Sequence, residues 1–141
     1  MHAHTAVGQS ALVNNTTANN NTAVGHEAGL SNTTGTNNTF IGVQAGYSNQ
    51  TGQGLTFVGR NAGYSSTGSN NTMVGISAGY NSTGGGNTFM GRSHVDAGAW
   101  GAGQTMTTGQ KNTLIGSHNG DDAYLDIRTE DQNVLISDGM G

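Results

Sequence analysis

A four-residue motif, Thr-x-aliphatic-Gly, recurs along the chain and constrains its fold more than any other feature. Its seven copies begin at Thr5, Thr22, Thr39, Thr56, Thr72, Thr88 and Thr113. Successive copies are 17, 17, 17, 16, 16 and 25 residues apart. This period is too short for a helix-turn-helix repeat, and it matches one coil of a β-solenoid, whose coils bury their apolar side chains by stacking on their neighbours. We therefore predict an all-β fold, a parallel β-solenoid of 16–17-residue coils over residues 1–118.

Composition is compatible with this fold and argues against several functions. Only 32% of the 141 residues are apolar and 9% are charged, which suffices for a solenoid because its core is thin. The absence of Pro suits a chain of paired strands, and the absence of Cys removes disulfides and thiolate metal sites. Four basic residues argue against a nucleic-acid partner. No apolar run approaches the roughly 20 residues of a membrane span, so we expect no membrane insertion.

The alternation of side chains along a strand predicts which motif positions share a face. We place the third position, which is always aliphatic, inside the coil, together with alanines such as Ala45 and Ala62 from a second short strand. The second position then forms an outward apolar row, which consists of Ala6, Ala23, Phe40, Phe57, Met73, Phe89 and Leu114. Soluble monomers rarely expose such a stripe, so we expect the chain to associate with copies of itself about a symmetry axis.

The repeat resembles two related families. Asn-Thr-x-Val/Ile-Gly-x-x-Ala, as in the stretch from Asn38 to Ala45, is similar to the coils of YadA-like trimeric autotransporter heads, which are left-handed parallel β-rolls. The longer string that continues through Gly46, Tyr47 and Ser48 to Thr51-Gly52 resembles the repeats of bacteriophage tail fibres, especially those of marine phages. The resemblance covers residues 4–118.

The resemblance implies a structural and host-attachment protein without enzymatic activity. It implies a left-handed, β-roll-like homotrimer, intertwined or side by side. The outward apolar row then predicts a trimer interface that consists of Phe40, Phe57, Met73, Phe89 and Leu114. The partner would be a glycan or protein receptor on the host cell surface. The location would be a virion tail fibre or, for an adhesin head, the extracellular bacterial surface. The segments 125–129 and 133–139 resemble the region that follows the repeats in such fibres, and we interpret 119–141 as a C-terminal strand or β-hairpin segment.

The sixth repeat contains the best candidate for a receptor site. It is about nine residues longer than its neighbours, and we assign the excess to an inserted loop at 95–106 that holds the single Trp. Insertions in repeats map to loops on one side, often the binding side, and Trp offers a large contact area. Trp100, Asp96 and Gln104 are the candidate receptor contacts. A second interpretation, in which Trp100 fills the trimer axis or caps the last coil, remains open.

We predict no cofactor, and a metal ion on the trimer axis is kept as a subordinate hypothesis. His2 and His4 are alternate residues, so three chains could present six imidazoles to one metal ion on the trimer axis. Resemblance to phage fibre tips, which use such His-x-His pairs for iron, supports this interpretation. The alternative is a cloning remnant or a solvated terminus.

Two other function classes remain as alternatives. A polysaccharide depolymerase needs two carboxylates about 5–9.5 Å apart, whereas Glu27 and Asp96, the acids within the repeats, are about four coils or 19 Å apart. We therefore predict no catalytic residues, although the acidic tail and a pair between chains escape this estimate. An ice-binding solenoid needs outward Thr at i and i+2. Here an aliphatic residue at i+2 predicts that the Thr row points inward, so ice binding ranks last.

Overall fold

The computed structural model describes residues 3–91, 101–118 and 127–137, and these residues form one parallel β-solenoid of about seven turns. The strands are β1 (His4–Val7), β2 (Asn21–Val24), β3 (Thr39–Ile41), β4 (Thr56–Val58), β5 (Thr72–Val74), β6 (Thr88–Met90), β7 (Thr113–Gly116) and β8 (Val134–Ser137). They pair in chain order to form a single eight-stranded sheet. The solenoid predicted from the motif period is confirmed.

The strands stack with equivalent motif positions directly above one another. In the pairing of β3 with β4, Phe40 lies opposite Phe57 and Ile41 lies opposite Val58, and the other pairs repeat this register. Each motif position therefore forms a column that runs along the solenoid. At about 4.8 Å per strand, the eight strands span about 34 Å.

The interior of the solenoid is built from the second motif position and not from the third. Ala23, Phe40, Phe57, Met73, Phe89 and Leu114 are all 0% exposed. At the third position, by contrast, Val24 is 37% exposed and Ile41 is 40% exposed. The expectation that the aliphatic row fills the core and the aromatic row faces outward is therefore wrong. The expected trimer contacts Phe40, Phe57, Met73, Phe89 and Leu114 lie inside their own chain, where a second copy cannot reach them.

The small residues on the facing wall explain this orientation. A column of fully buried alanines faces the motif side chains, and it consists of Ala28, Ala45, Ala62, Ala78 and Ala102. The glycine that follows each of these alanines adds further space. Gly63 adopts a φ of +58°, and a Cβ there would overlap the ring of Phe57. Ala and Gly together leave a space that a phenyl ring fills and a valine side chain would leave partly empty, which costs packing energy.

A column of buried asparagines satisfies the backbone next to each strand. The Oδ1 atom of Asn38 accepts a hydrogen bond from the Leu55 backbone N–H at 3.0 Å, and its Nδ2 donates to the Gly52 carbonyl at 2.8 Å. Asn21, Asn71, Asn87 and Asn112 make equivalent bonds to the next coil. Buried backbone groups need such partners, so this column fixes the stacking of one coil on the next.

The motif glycine is required where neighbouring coils approach most closely. Gly42 adopts a φ of +134°, and a Cβ there would lie 2.5 Å from the carbonyl oxygen of Gly59 in the next coil. Two positions later, Gln44 and Asn61 adopt left-handed φ values of 57° and 58°. Ser10, Glu27 and Ser77 do the same, so the chain turns sharply at this corner in each of the first five coils, directly after the strand.

The sixth and seventh coils are longer than the others, and in each of them some residues lie outside the described part. The sixth coil is described up to Gly91 and again from Gly101, and Ala102 and Met106 are 0% exposed. Residues 101–106 of the predicted loop at 95–106 therefore pack in the coil, whereas its residues 95–100 lie outside the described residues. The seventh coil is described up to His118 and again from Ile127, which is buried.

The described part of the C-terminal segment continues the solenoid. β8 pairs with β7 in parallel, so that Leu135 lies opposite Leu114 and Ile136 lies opposite Ile115. A hairpin would place its two strands antiparallel. Within residues 127–137 the C-terminal segment supplies an eighth parallel strand, and the rest of the predicted strand or hairpin segment at 119–141 lies outside the described residues.

Candidate interaction surfaces

The outer face of the sheet carries two columns of side chains, from the first and third motif positions. The aliphatic column consists of Val7, Val24, Ile41, Val58, Val74, Met90 and Ile115, and Ile136 of β8 continues it at 75% exposure. The sheet threonine column consists of Thr5, Thr22, Thr39, Thr56, Thr72, Thr88 and Thr113. Both columns are at least partly exposed, and neither contains a charged residue. Together they form the outer sheet face.

The threonines of the solenoid fall into two groups with different hydrogen bonding. At the turns, Thr16, Thr33, Thr83 and Thr107 each donate from Oγ1 to a backbone carbonyl of the next coil at 3.1 Å. The sheet threonine column forms no side-chain hydrogen bond to another described residue, and its hydroxyls face outward. The expectation that this Thr row points inward is therefore wrong, because it depended on placing the aliphatic position in the core.

Charged side chains first occur beyond the motif glycine. The position after Gly59 holds Arg60, which is exposed, and the equivalent positions hold His26 and Val43. Val43 is 45% exposed and adds apolar surface beside Ile41. The outer sheet face is thus uncharged along its whole described length, with mixed side chains at its border.

A ladder of tyrosines lies on another side of the solenoid. The rings of Tyr47 and Tyr64 are stacked at a centroid distance of 4.8 Å, as are those of Tyr64 and Tyr80. Burial raises the pKa of Tyr64, and Tyr80, Tyr47 and Glu27 raise it further. Because the rings cover one another's faces, the ladder holds three coils together and does not offer a stacking platform for a sugar.

Of the three predicted receptor contacts, only Gln104 lies within the described residues. Trp100 and Asp96 lie outside the described residues. Gln104 is partly buried, and its Oε1 accepts a hydrogen bond from the Gly101 backbone N–H at 2.6 Å. This bond closes the turn where the coil resumes, so Gln104 has a structural role there.

Only one of the two predicted metal ligands lies within the described residues. His2 lies outside the described residues, and His4 is exposed on β1 with its Nδ1 3.5 Å from Nδ2 of Asn15. Within residues 3–91, 101–118 and 127–137, no group of three His, Asp or Glu side chains is arranged to hold a metal ion.

Glu27 lies far along the solenoid from the other described carboxylates. Glu27 lies in the second coil, where Gln44 donates a hydrogen bond to it at 2.8 Å. Glu130 and Asp131 lie in the seventh coil. Five coils at about 4.8 Å each separate them by about 24 Å, well beyond the separation that glycoside hydrolysis requires.

The asparagine column and the outward threonines were not foreseen, although the sequence contains a signal for the first. Asn directly precedes the motif Thr in five of the seven copies, at Asn21, Asn38, Asn71, Asn87 and Asn112. A polar residue at a fixed register beside a core strand indicates a buried hydrogen-bonding role.

The described residues contain no helix, and so none that could cross a bilayer. Comparisons of the chain with protein-family models, with curated proteins and with solved structures gave no match.

Proposed function

We propose that this chain is a non-enzymatic structural and host-attachment protein, a segment of a bacteriophage tail fibre or receptor-binding fibre that works as a homotrimer. Its target is a glycan or protein receptor on the host cell surface, and it resides in the virion tail fibre. A bacterial adhesin head on the extracellular surface is the closest alternative. The observation that carries the proposal is the uniform register of eight strands along one solenoid, since this arrangement suits a spacer.

The repetitive part of the solenoid is poorly suited to selective recognition. Any site on a regular coil recurs on the next coil, as the stacked motif positions do from β2 to β6. The period of 16–17 residues is interrupted in the sixth and seventh coils, which are 25 and 21 residues long. Unique contacts to a receptor therefore belong at the interruption that includes Trp100, where loops on a rigid scaffold commonly bind.

A deletion that restores the regular coil tests this assignment. Removal of residues 93–100 joins Arg92 to Gly101, which gives Gly-Arg-Gly-Ala where the fourth coil has Gly59-Arg60-Asn61-Ala62, and shortens the sixth coil to 17 residues. We expect the variant to keep the circular dichroism and oligomeric mass of the parent and to lose binding to bacterial cells and to a glycan array. The core residues Ala102 and Met106 stay in place.

The matched control removes one whole regular coil, residues 56–71. This deletion shortens the solenoid by about 4.8 Å and leaves the sixth coil intact, so binding should persist. If the 93–100 deletion binds as well as the parent, the interruption is not the receptor site. Loss of folding in that variant alone would show that Trp100 belongs to the core of the assembly.

Ice binding is a second candidate because one observation favours it. The sheet threonine column presents seven hydroxyls that make no side-chain hydrogen bond to another described residue, at a regular spacing of about 4.8 Å and beside aliphatic side chains on an uncharged face. Thermal hysteresis of the purified protein is the measurement that tests this candidate.

A further inference from the structure

We propose that copies of this chain associate through the outer sheet face, with the rods parallel and in register about an axis along their length. This inference rests on the proposed function, because it names the surface through which the fibre segment assembles. The aliphatic column, and not the buried aromatic row, is the apolar stripe that a second copy covers.

The first support is the continuity of exposed apolar surface. Val7, Val24, Ile41, Met90 and Ile115 are between 37% and 57% exposed, and Ile136 extends the column to the eighth strand. No described residue of the chain packs over them. Isolated exposed apolar side chains are ordinary on a monomer, whereas a stripe repeated at every strand marks an interaction surface.

The second support is the pitch of the column. A partner that contacts the aliphatic column along its full length must repeat every 4.8 Å or so over about 34 Å. A parallel copy of this chain has the same spacing, so each aliphatic side chain meets its own equivalent at every strand. Val58, for example, faces Val58 of the other copies.

The third support is the absence of charge. Cyclic symmetry places each residue on the axis opposite itself, so a charged residue there would face like charges. The first and third motif positions hold only Thr, Val, Ile and Met, and Arg60 lies beyond the glycine. The face thus lacks the groups that would oppose self-association.

The sheet threonine column supplies polar contacts between copies. Each hydroxyl can donate one hydrogen bond and accept another, so equivalent threonines can bond to one another around an axis. These hydroxyls have no side-chain partner among the described residues, unlike the turn threonines, whose Oγ1 atoms are already bonded within the chain. The outer sheet face can therefore bury its hydroxyls without leaving them unpaired.

A charge introduced into the aliphatic column tests the proposal. Val58→Lys places ammonium groups opposite one another at the axis, whereas Thr67→Lys adds the same charge at an exposed turn on another side of the coil. Light scattering should give the parent and Thr67→Lys about three times the chain mass of 14.3 kDa. Val58→Lys should give the monomer mass with an unchanged circular dichroism spectrum.

Cysteine cross-linking provides a second readout that does not require a charged variant to fold. The chain contains no Cys, so Val58→Cys and Arg60→Cys each introduce a single thiol. With a mild added oxidant such as oxidised glutathione, which accepts the two electrons, two thiols at position 58 should lose their protons and form an inter-chain disulfide. Covalent dimer should then be several-fold more abundant for Val58→Cys than for Arg60→Cys.

Each outcome separates the interface from the proposed function. Assembly that survives Val58→Lys, with no preferential cross-link at position 58, would overturn the interface while leaving an assembling fibre intact. A monomeric parent would overturn both the interface and the trimer. A monomeric parent with thermal hysteresis that Val58→Lys abolishes would assign the outer sheet face to ice, and would also overturn the proposal.

Discussion

Phe57 and Val58 are neighbours on one strand, yet they belong to two columns with opposite environments. Phe57 is 0% exposed against Ala62 and Gly63, whereas Val58 is partly exposed on the outer sheet face. Both residue types favour strands and both are apolar, so neither propensity nor hydrophobicity separates them. The volume of the opposite wall decides, because Ala62 and Gly63 leave space for the ring of Phe57.

The comparison predicts its largest effect for truncation of these two side chains. Phe57→Ala should lower the free energy of unfolding by about 3–5 kcal/mol, because it leaves a cavity beside Phe40, whose ring centroid lies 5.7 Å away. Val58→Ala should lower it by less than Phe57→Ala does, because it removes fewer atoms, even where a second copy covers this side chain. Denaturant unfolding at one fixed protein concentration measures both. Similar losses for the two variants would contradict the orientation of the strand.

A second pair of neighbours contrasts the inner and outer environments for polar residues. Asn71→Ala should cost about 1–3 kcal/mol, because the buried Asn87 backbone N–H and the Gly84 carbonyl lose their partners. Asn70→Gly should change stability by at most about 0.5 kcal/mol, because Asn70 is exposed with a φ of 60° that glycine readily adopts.

Thermal unfolding followed by circular dichroism distinguishes this pair of asparagine variants. Equal melting temperatures would show that the asparagine column contributes no more than an exposed turn residue. The fourth coil is a fair place for the test because equivalent positions of neighbouring coils, Gly54 and Gly86, already hold glycine.

The smallest predicted effect concerns the tyrosine ladder, whose side chains are neither fully buried nor fully exposed. The pKa of Tyr64 is raised above its ordinary value of 10.0, chiefly by burial, so the unfolded chain loses this proton at lower pH than the folded chain. The contribution of Tyr64 to the free energy of unfolding is therefore fully present below about pH 10, and it is lost as the pH rises through the pKa of the folded state. Tyr64→Phe should lose less stability than the parent over this window. Denaturant unfolding at several alkaline pH values measures this dependence. An equal decrease of the free energy of unfolding with pH in both proteins would contradict the raised pKa of Tyr64.

The sequence predicted the solenoid and its register because both follow from the interval between Thr-x-aliphatic-Gly motifs. It could not orient the strand, since alternation shows that Phe40 and Ile41 face opposite ways without showing which is inside. Ala45 and Gly46 contained the missing information, because small residues on the facing wall leave space for the larger of the two side chains. The end of the insertion was also predictable from the sequence, because Ala102-Gly103 repeats Ala78-Gly79.

The candidate site was less predictable from the sequence than the fold. A repeat defines what recurs, and Trp100 occurs once, so no internal comparison assigns it a position. The predicted insertion ends at residue 106 and so includes Gln104, whereas the described part of the coil already includes both Gly101 and Gln104. Thr56 and its equivalents point outward for the same reason. Because the second motif position faces the core, the positions on either side of it face outward.

The register shared by all eight strands has a consequence for how such a protein can change. Coils of 16 and 17 residues stack without disturbing the columns, because the difference is absorbed at the turn between Asn49 and Leu55 in one coil and its shorter counterpart in the next. Duplication or loss of one coil would therefore change the length of the solenoid in steps of about 4.8 Å and leave the columns of the remaining coils in register. The number of repeats thus sets the length of the solenoid.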